Sequence, residues 1–565
     1  MPTVETMDRP MEDLNRRSSD PPTMRPVIVV GTEKELQHHH HHHHPYALQP
    51  LSHSAWYLLL LKLLEGFAYY GIVNTQTNYL MGNYQLDSSK NAAGVMSAVQ
   101  ASSLVSGGSA VACAAPFLGG MLADAILGDY WCILLATMIL YVPGLLLIAL
   151  TTVPDLLGPK FYPISLIIGM LILFPLGAGI LQSTISVFGA KQYHPVLQTS
   201  MIESYYVHFF MAINVGATLG GIVVPLVAQV NLSWAYSLPL WALAFGIFFL
   251  VLGSPRYVRL HPDHRPLQKT LQLLASALTN QQPLERAKKT LGGDYDSAFV
   301  EGVQRLLAVI PMSCLTLPFN VVYSQMMTVF VVQGSAMNSF LDLVDSSMML
   351  NVEAIGVLLA GCLADRYLFP FLTRRGIRIP YTYKFAIGTA LGGLSIVWAI
   401  IVDHWIHAAF ADGGKRISVL WQTFHYLLIG AGEIFASVAA YEATFTMAPK
   451  EQKGLASAVN IFMVGAFPNI LCIFLYHGCS MWFPAVEEHS NLLEAYAQSQ
   501  VYHYLWVLLV LSAFGVWLNF LPSVQNWVEG LCQRVDEKQT HQTDSETIHL
   551  LDAMLASKFD LCDSI

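Results

Sequence analysis

The chain of 565 residues is 54% hydrophobic and only 12% charged, whereas soluble proteins carry about a quarter charged residues. Its mean hydropathy is +0.47, and its apolar residues come in runs long enough to cross the roughly 30 Å hydrocarbon core of a bilayer. The formal net charge of −9 and the scattered basic residues argue against a nucleic-acid partner. The composition excludes a soluble globular protein and predicts a polytopic α-helical membrane protein.

The N-terminal segment 1–54 is predicted to be a disordered tail, and it contains the run His38–His44. Seven consecutive histidines could bind a transition metal, but an expression tag or a compositional repeat is the simpler interpretation. The eight cysteines form no close pair of the CxxC type, so no metal site is predicted from them. No nucleophile–base constellation or phosphate-binding loop is present, and we therefore predict that the chain is not an enzyme.

Twelve apolar runs of spanning length follow the tail in two groups of six. A first bundle is predicted over 55–253, a polar central loop over 254–303, a second bundle over 304–522, and a polar tail over 523–565. The predicted spans are 55–80, 92–117, 131–153, 162–189, 205–229, 234–253, 304–333, 345–366, 383–402, 417–447, 454–477 and 500–522. Two six-helix bundles joined by a central loop are the plan of the major facilitator fold, which binds its solute at the midplane between the bundles.

Most lysines and arginines lie in the two tails, the central loop and the short loops on the same side of the membrane. One such loop holds Arg366, Arg374, Arg375 and Arg378. By the positive-inside rule, both termini and the central loop are predicted to be cytosolic.

The two halves also share a short motif at equivalent positions. Gly120-Met-Leu-Ala-Asp124 follows the second span, and Gly361-Cys-Leu-Ala-Asp365 follows the eighth. One such match is weak, but its position in both halves supports a duplicated architecture. We expect Asp124 and Asp365 to hold loops against helix ends rather than to contact a solute.

Five segments, in order along the chain, carry a family resemblance. They are Gly119–Gly128, Phe188-Gly-Ala-Lys191-Gln192, Phe209-Phe-Met-Ala-Ile-Asn214-Val-Gly216, Tyr323-Ser-Gln325, and the tenth-span segment from Tyr426 through Glu433 and Glu442 to Ala448-Pro449-Lys450. Together they resemble the proton-coupled oligopeptide transporter family, and within it the peptide/histidine branch. The resemblance covers nearly all of 50–525.

The resemblance implies a clamp for a zwitterionic substrate. In the family, a tenth-helix Glu, which we matched to Glu442, receives the substrate's amino group, and basic residues of the first and fourth helices receive its carboxylate. The first-helix pattern Glu-x-x-Glu-Arg is here Lys62-Leu-Leu-Glu65-Gly66, and the fourth-helix basic position is Gln182. Both usual carboxylate partners are missing.

An ionisable side chain inside a membrane span is costly and is a functional candidate by default. Lys62, Glu65 and Tyr69 share one face of the first helix. One hypothesis is that Gly66 leaves room for the Lys62 stem to take the place of the missing arginine, so that Lys62 binds the substrate carboxylate. A competing hypothesis is that the site favours amines without a carboxylate. The simplest alternative is that Lys62 and Glu65 merely neutralise each other.

For proton coupling, the eligible carboxyl groups are Glu65, Glu442 and Glu353, while Glu433 ranks lowest because it can cap or pair near a helix start. No cofactor is predicted, and a proton gradient is the predicted driving force. Uncoupled, downhill transport remains the alternative. Further polar side chains within the spans are predicted to contact substrate, although each could instead bridge helices: Tyr69, Tyr70, Gln182, Asn214, Tyr323, Gln325 and Asn351.

The C-terminal tail contains Glu546-Thr-Ile-His-Leu550-Leu551. This segment has the form of an acidic dileucine signal that sorting adaptors read in the cytosol, although an amphipathic tail helix would show the same pattern. It favours an endosomal or lysosomal location, with the plasma membrane as the alternative.

The sequence therefore predicts a monomeric secondary transporter that moves di- or tripeptides, or histidine-like amino acids, from an acidic lumen to the cytosol by alternating access. Its partners are the small substrate, the lipid bilayer and possible sorting adaptors. The alternatives are a transport-deficient sensor or scaffold of the same fold, and an uncoupled carrier of another amine or cationic solute.

Overall fold

The computed structural model describes residues 47–84, 96–153, 156–157, 161–194, 198–259, 265–280, 283–376, 379–447, 453–484 and 492–532. Six membrane-spanning helices form the first half. They are α1 (Leu51–Leu80), α2 (Ala98–Leu127), α3 (Asp129–Thr151), α4 (Phe161–Ala190), α5 (Thr199–Val230) and α6 (Leu232–Leu252).

The second half repeats this plan. Its helices are α7 (Ser297–Cys314 and Leu317–Ser335), α8 (Leu350–Leu372), α9 (Tyr381–Ala411), α10 (Val419–Met447), α11 (Leu455–Gly478) and α12 (Val501–Asn519). Helix α7 is bent by 59° between its two parts, where Pro318 enters the second part at a position that tolerates proline. The side of the central segment 254–296 is called the loop side below, and the opposite side the far side.

The predicted order and number of spans match the helices that the structure describes, and most ends agree within a few residues. One difference is that α9 runs to Ala411 instead of ending near 402. The added segment contains two polar residues, Asp403 and His407, which lie one helical turn apart. Their side chains contact each other, with His407 Nδ1 3.4 Å from Asp403 Oδ2. A second difference is a helix at Arg265–Asn280 within the predicted loop.

The repeated motif occupies equivalent places in the two halves. The first copy leads into a wide π-helical turn at Ala123–Leu127, and the second into one at Ala364–Leu368. On the loop side, Lys191 Nζ lies 2.8 Å from Asp129 Oδ2 and 3.7 Å from Asp124 Oδ1. Asp124 thus ties the end of α2 to the end of α4, which is the loop-holding role expected of it.

Helices α1 and α5 pack with their backbones in close contact, and glycines on α5 make this possible. A Cβ atom added at Gly216 would lie 2.1 Å from the Leu63 carbonyl oxygen, and one at Gly220 would lie 2.2 Å from the Phe67 carbonyl oxygen. Small residues at such crossings are the usual means of helix association in lipid, where no hydrophobic driving force separates helix from acyl chain.

We expect Gly216→Ala to destabilise the protein, because the added methyl group must push α1 away from α5. Overpacking of this kind costs on the order of 1–3 kcal/mol. Thermal unfolding in detergent tests this, and Gly120→Ala is the matched control because its Cβ would meet nothing within 4 Å. Equal melting temperatures for the two variants would contradict the close packing of α1 on α5.

Candidate functional site

The middle of the first half holds a buried ion pair. Lys62 Nζ lies 2.6 Å from Glu65 Oε2, and the two residues are 4% and 0% exposed. The other carboxylate oxygen, Oε1, accepts hydrogen bonds from Gln182 Nε2 at 2.9 Å and from the Tyr141 hydroxyl at 3.4 Å. Lys62, Glu65 and Gln182 therefore come together in one buried network in which both carboxylate oxygens of Glu65 accept hydrogen bonds.

Gly66 packs against α5 in the structure. A Cβ atom at Gly66 would point at α5, 3.3 Å from the Ile213 carbonyl oxygen and 3.6 Å from the Ala217 nitrogen. The position faces the α1–α5 contact, where a Cβ atom would fit only tightly. Lys62 instead turns to its neighbour on α1 and lies 5.8 Å from the centre of the Phe209 ring.

The middle of the second half holds a pair of carboxyl groups. Glu353 on α8 and Glu433 on α10 interact with each other electrostatically and through hydrogen bonding. Their helices meet closely, because a Cβ atom at Gly430 would lie 2.5 Å from the Glu353 carbonyl oxygen. Both residues are half-buried, and no basic side chain of the described residues forms an ion pair with either.

Two tyrosines lie beside this pair. The Tyr70 and Tyr323 hydroxyls each interact electrostatically with both Glu353 and Glu433. Tyr70 also interacts with Glu65, so it stands between the ion pair of the first half and the carboxyl pair of the second. These two predicted site residues are thus brought to the centre of the molecule.

Glu442 is placed elsewhere than predicted. Its Oε2 lies 2.8 Å from Lys384 Nζ on α9, and its Oε1 accepts a hydrogen bond from the Tyr381 hydroxyl at 3.3 Å. Its side chain is 52% exposed. Glu433 and Glu442 are nine residues apart, or two and a half turns, so they leave α10 on opposite faces. The central acid of α10 is Glu433, which sequence reasoning had ranked lowest.

Gln325 bridges helices instead of facing a cavity. It is fully buried, and its Oε1 accepts hydrogen bonds from the Tyr504 hydroxyl at 3.1 Å and the Tyr476 hydroxyl at 3.3 Å. Its Nε2 donates to the Val321 carbonyl oxygen at 2.7 Å. Gln325 thus has the helix-bridging arrangement that was the alternative to substrate contact, with both ends of its amide used within the second half.

The remaining predicted residues differ in their surroundings. Asn214 is exposed, and its Nδ2 donates to the Phe210 carbonyl oxygen of its own helix at 2.8 Å. Asn351 Nδ2 donates to the Gly221 carbonyl oxygen at 2.9 Å and joins α8 to α5 across the two halves. The Tyr69 ring packs on Phe174 with their centres 5.7 Å apart, beside Tyr70.

Hydrogen bonds between the halves close the far side. Asn78 Nδ2, in the last turns of α1, donates to the Ser346 hydroxyl at 2.9 Å and the Ser347 hydroxyl at 2.6 Å. The Tyr84 hydroxyl bonds the Ser347 hydroxyl at 2.6 Å and donates to Asp345 Oδ2 at 3.2 Å. We call these five residues the far-side latch.

One latch residue can respond to pH. Burial raises the pKa of Asp345 to about 6, even though Tyr84 and the backbone N–H groups of Ser347 and Met348 donate hydrogen bonds to it. Asp345 lies in the segment between α7 and α8, outside the spanning helices. Its carboxyl group therefore titrates in the range of a mildly acidic compartment.

Sequence reasoning missed Tyr141 and the far-side latch. Tyr141 lies in the apolar centre of α3, and only its buried hydroxyl marks it. The latch could have been noticed, because Asn78, Asp345, Ser346 and Ser347 are polar residues at the ends of predicted spans.

Among the described residues, no group of three or more His, Cys, Asp or Glu side chains could hold a metal ion. Glu546, Leu550, Leu551 and His38–His44 lie outside the described residues.

A bundle of twelve spans in two halves, closed on one side and holding buried ionisable groups at its centre, defines a secondary carrier of the major facilitator class. A family model described as "PTR2: POT family" matches residues 130–481. The chain therefore belongs to the POT family, as its motifs predicted.

Individual relatives agree with this assignment. Peptide transporter PTR_B of Candidozyma auris is 26% identical over 461 residues, which cover 75% of this chain and 77% of the relative. Solute carrier family 15 member 3 of Mus musculus is 24% identical over 570 residues, with 87% and 93% covered. The in meso crystal structure of the POT family transporter PepTSo matches with a TM-score of 0.66 at 19% identity, over 86% of this chain and 98% of that one.

The ion pair makes a testable prediction about stability. Lys62→Met should destabilise the fold strongly, because removing one partner of a buried pair leaves an uncompensated charge and costs about 3–5 kcal/mol. The double variant Lys62→Met/Glu65→Gln should recover most of that loss, because it removes both charges. Thermal unfolding of the two single variants and the double variant measures this. Purely additive losses would show that the two side chains do not interact.

The latch makes a prediction about pH. When the latch opens, Asp345 meets solvent and its pKa returns towards 3.8. The closed state thus binds the proton more tightly, and closure should strengthen as pH falls from about 6 to about 4, by up to about a hundredfold. Spin labels at the far-side positions Trp234 and Met481, in a background without accessible cysteines, report the separation of the halves. Asp345→Asn should remove the pH dependence, and an unchanged dependence would exclude Asp345 as its source.

Proposed function

We propose that this chain is a proton-coupled carrier of small amine-bearing solutes of the di- and tripeptide or histidine-like class, moved by alternating access from an acidic lumen to the cytosol. The observation that carries the proposal is the pair Glu353 and Glu433. Two adjacent carboxyl groups stand at the centre of a POT-family bundle with no basic partner among the described residues. Buried acids of this kind are the usual proton and cation sites of transporters.

The pair can hold a proton and an amine in turn. Repulsion between two neighbouring carboxylates is relieved when they share one proton, and a protonated amine on one of them relieves it equally. Tyr70 and Tyr323 offer hydroxyls and aromatic rings on the same side, which favour a bound cation. Proton and amine thus compete for, or divide, one acidic site, and this provides a physical link between the gradient and the cargo.

The first-half acid is not available for this exchange. Glu65 already holds Lys62, Gln182 and Tyr141, so a proton could bind only by breaking that network. Coupling therefore falls to the second half, and of the three acids predicted for it only Glu353 lies at an unpaired central position. Glu433 takes the place that was assigned to Glu442.

The far-side latch supplies the second element of alternating access. Its hydrogen bonds join the end of α1 to the segment before α8 and so hold the two halves together on one side. Hydrogen bonds of this kind are individually modest, so the latch can open when the halves rock. An endosomal or lysosomal location is supported by the dileucine pattern of the tail and by the pKa of Asp345 near the pH of such compartments.

A transport-deficient sensor of the same fold is the second candidate. The observation that favours it is the Lys62–Glu65 pair. Because Glu65 is already paired with Lys62, α1 lacks one of the proton sites that the family resemblance implies. Such a protein would bind a solute and signal through its loop-side tails without moving the solute.

Tracer uptake into proteoliposomes tests the proposal. The labelled compounds are alanyl-alanine and histidine, each offered with and without an inward acid gradient. We expect uptake of at least one to rise with the gradient and to fall at least tenfold in Glu433→Gln and in Glu353→Gln. Glu442→Gln is the matched control on the same helix and should transport normally, because that side chain pairs with Lys384 at the exposed edge.

The other outcomes separate the alternatives. Uptake that ignores the gradient would indicate an uncoupled carrier. Binding without uptake would favour the sensor. A loss of uptake in Glu442→Gln equal to that in Glu433→Gln would overturn the assignment of the central acid.

A further inference from the structure

We propose that the central site selects its cargo through an amine alone, so that its preferred substrates are small cationic amines and peptides whose carboxyl group is amidated or absent. This inference rests on the proposed function and names the substrate class of the same site. It departs from the zwitterion clamp that the family resemblance implies.

The first step is that the central cation is already bound. Lys62 Nζ is held by Glu65 at 2.6 Å, and both residues are nearly inaccessible. To receive a substrate carboxylate on its remaining N–H donors, Lys62 would have to become accessible, and turning its ammonium group away from Glu65 would leave an unpaired buried acid. Breaking a buried pair from one side is far more costly than the contact that would replace it. The ammonium group therefore acts as the counter-ion of Glu65, not as a binding group.

The second step is that no other basic residue replaces it. Within the described spans, the remaining lysines and arginines are Arg305, Arg366 and Lys384. Arg305 lies in the loop-side part of α7, and Arg366 lies near the loop-side end of α8. Lys384 is in the first turn of α9 and pairs with Glu442. The place where an arginine would stand on α1 is Gly66, which packs against the α5 backbone.

The third step concerns the sign of the electrostatic field that the charged groups produce at the centre of the bundle. The Lys62–Glu65 pair contributes no net charge, whereas Glu353 and Glu433 leave the centre negative whenever either is ionised. A substrate carboxylate entering this space would meet like charge in a medium of low dielectric constant, where repulsion is strong. A substrate amine would meet two acids and the hydroxyl groups of Tyr70 and Tyr323 beside them.

The contributions of the substrate's amine and of its carboxylate can be tested separately with three probes. The probes are labelled alanyl-alanine, which has both charges; alanyl-alanine amide, which keeps only the amine; and N-acetyl-alanyl-alanine, which keeps only the carboxylate. Uptake of each into proteoliposomes is measured at one pH with the same acid gradient. We expect kcat/KM for the amide to exceed that for alanyl-alanine at least tenfold, and we expect no uptake of the acetylated probe.

A double variant distinguishes a lysine that only neutralises Glu65 from a lysine that binds substrate. Lys62→Met/Glu65→Gln removes the pair without leaving a buried charge. If Lys62 only neutralises Glu65, this variant keeps the ratio of amide to alanyl-alanine uptake. If Lys62 binds substrate carboxylates, alanyl-alanine uptake falls selectively and the inference is overturned. Protein that elutes as a single peak and unfolds cooperatively qualifies the variant for the comparison.

The failures of the two proposals differ. Equal or faster uptake of alanyl-alanine than of its amide overturns the amine-only inference and leaves the carrier function intact. Uptake of the acetylated probe overturns it as well. No uptake of any of the three probes overturns the amine-only inference, and no uptake of labelled histidine in addition overturns the proposed function as well.

Discussion

The ion pair between Lys62 and Glu65 is the constraint on which the rest of the site depends. A charge at the centre of a membrane bundle is tolerated only when it is paired or lines a wet cavity. Here a lysine one turn before the glutamate supplies the partner from the same helix, and Gln182 and Tyr141 complete the shell around the carboxylate. In the proposed function, proton binding and substrate recognition are therefore assigned to other groups.

Those groups lie in the second half, so the two bundles are chemically unequal despite their shared plan. The first half offers a neutral, closed network at its centre, and the second offers the pair Glu353 and Glu433. Tyr70 belongs to the first half but interacts with acids of both. In the proposed function, α8 and α10 provide the acids that hold the solute, and α1 provides the hydroxyl group of Tyr70.

The fold was largely predictable, because its signals are local. Spans of twenty or more apolar residues, a basic loop side and a motif repeated at Asp124 and Asp365 need no knowledge of tertiary contacts. The family assignment was equally accessible, because the motifs around Phe188, Asn214 and Tyr426 keep their order along the chain.

The site was only partly predictable. Sequence spacing correctly placed Lys62 and Glu65 on one face, yet it could not show that Gly66 points at α5, because that depends on how closely two distant helices approach. It also could not decide between Glu433 and Glu442. Both are acids on one apolar helix, and only the rotation of α10 within the bundle shows which faces the centre and which meets Lys384. Gln325 illustrates the same difficulty, since a polar residue that bridges helices and one that binds a solute have the same sequence pattern.

The packing of glycines on α5 against α1 has a mechanical consequence. Backbones in such close contact leave no side chains between them that could slide or repack, so α1 and α5 form one rigid unit. The Lys62–Glu65 pair lies within that unit and keeps its geometry while the halves tilt. Deformation is thereby directed to the seam between the bundles, which includes the hydrogen bonds of the far-side latch. The stiffness of one helix pair thus decides which surface of the molecule acts as the hinge.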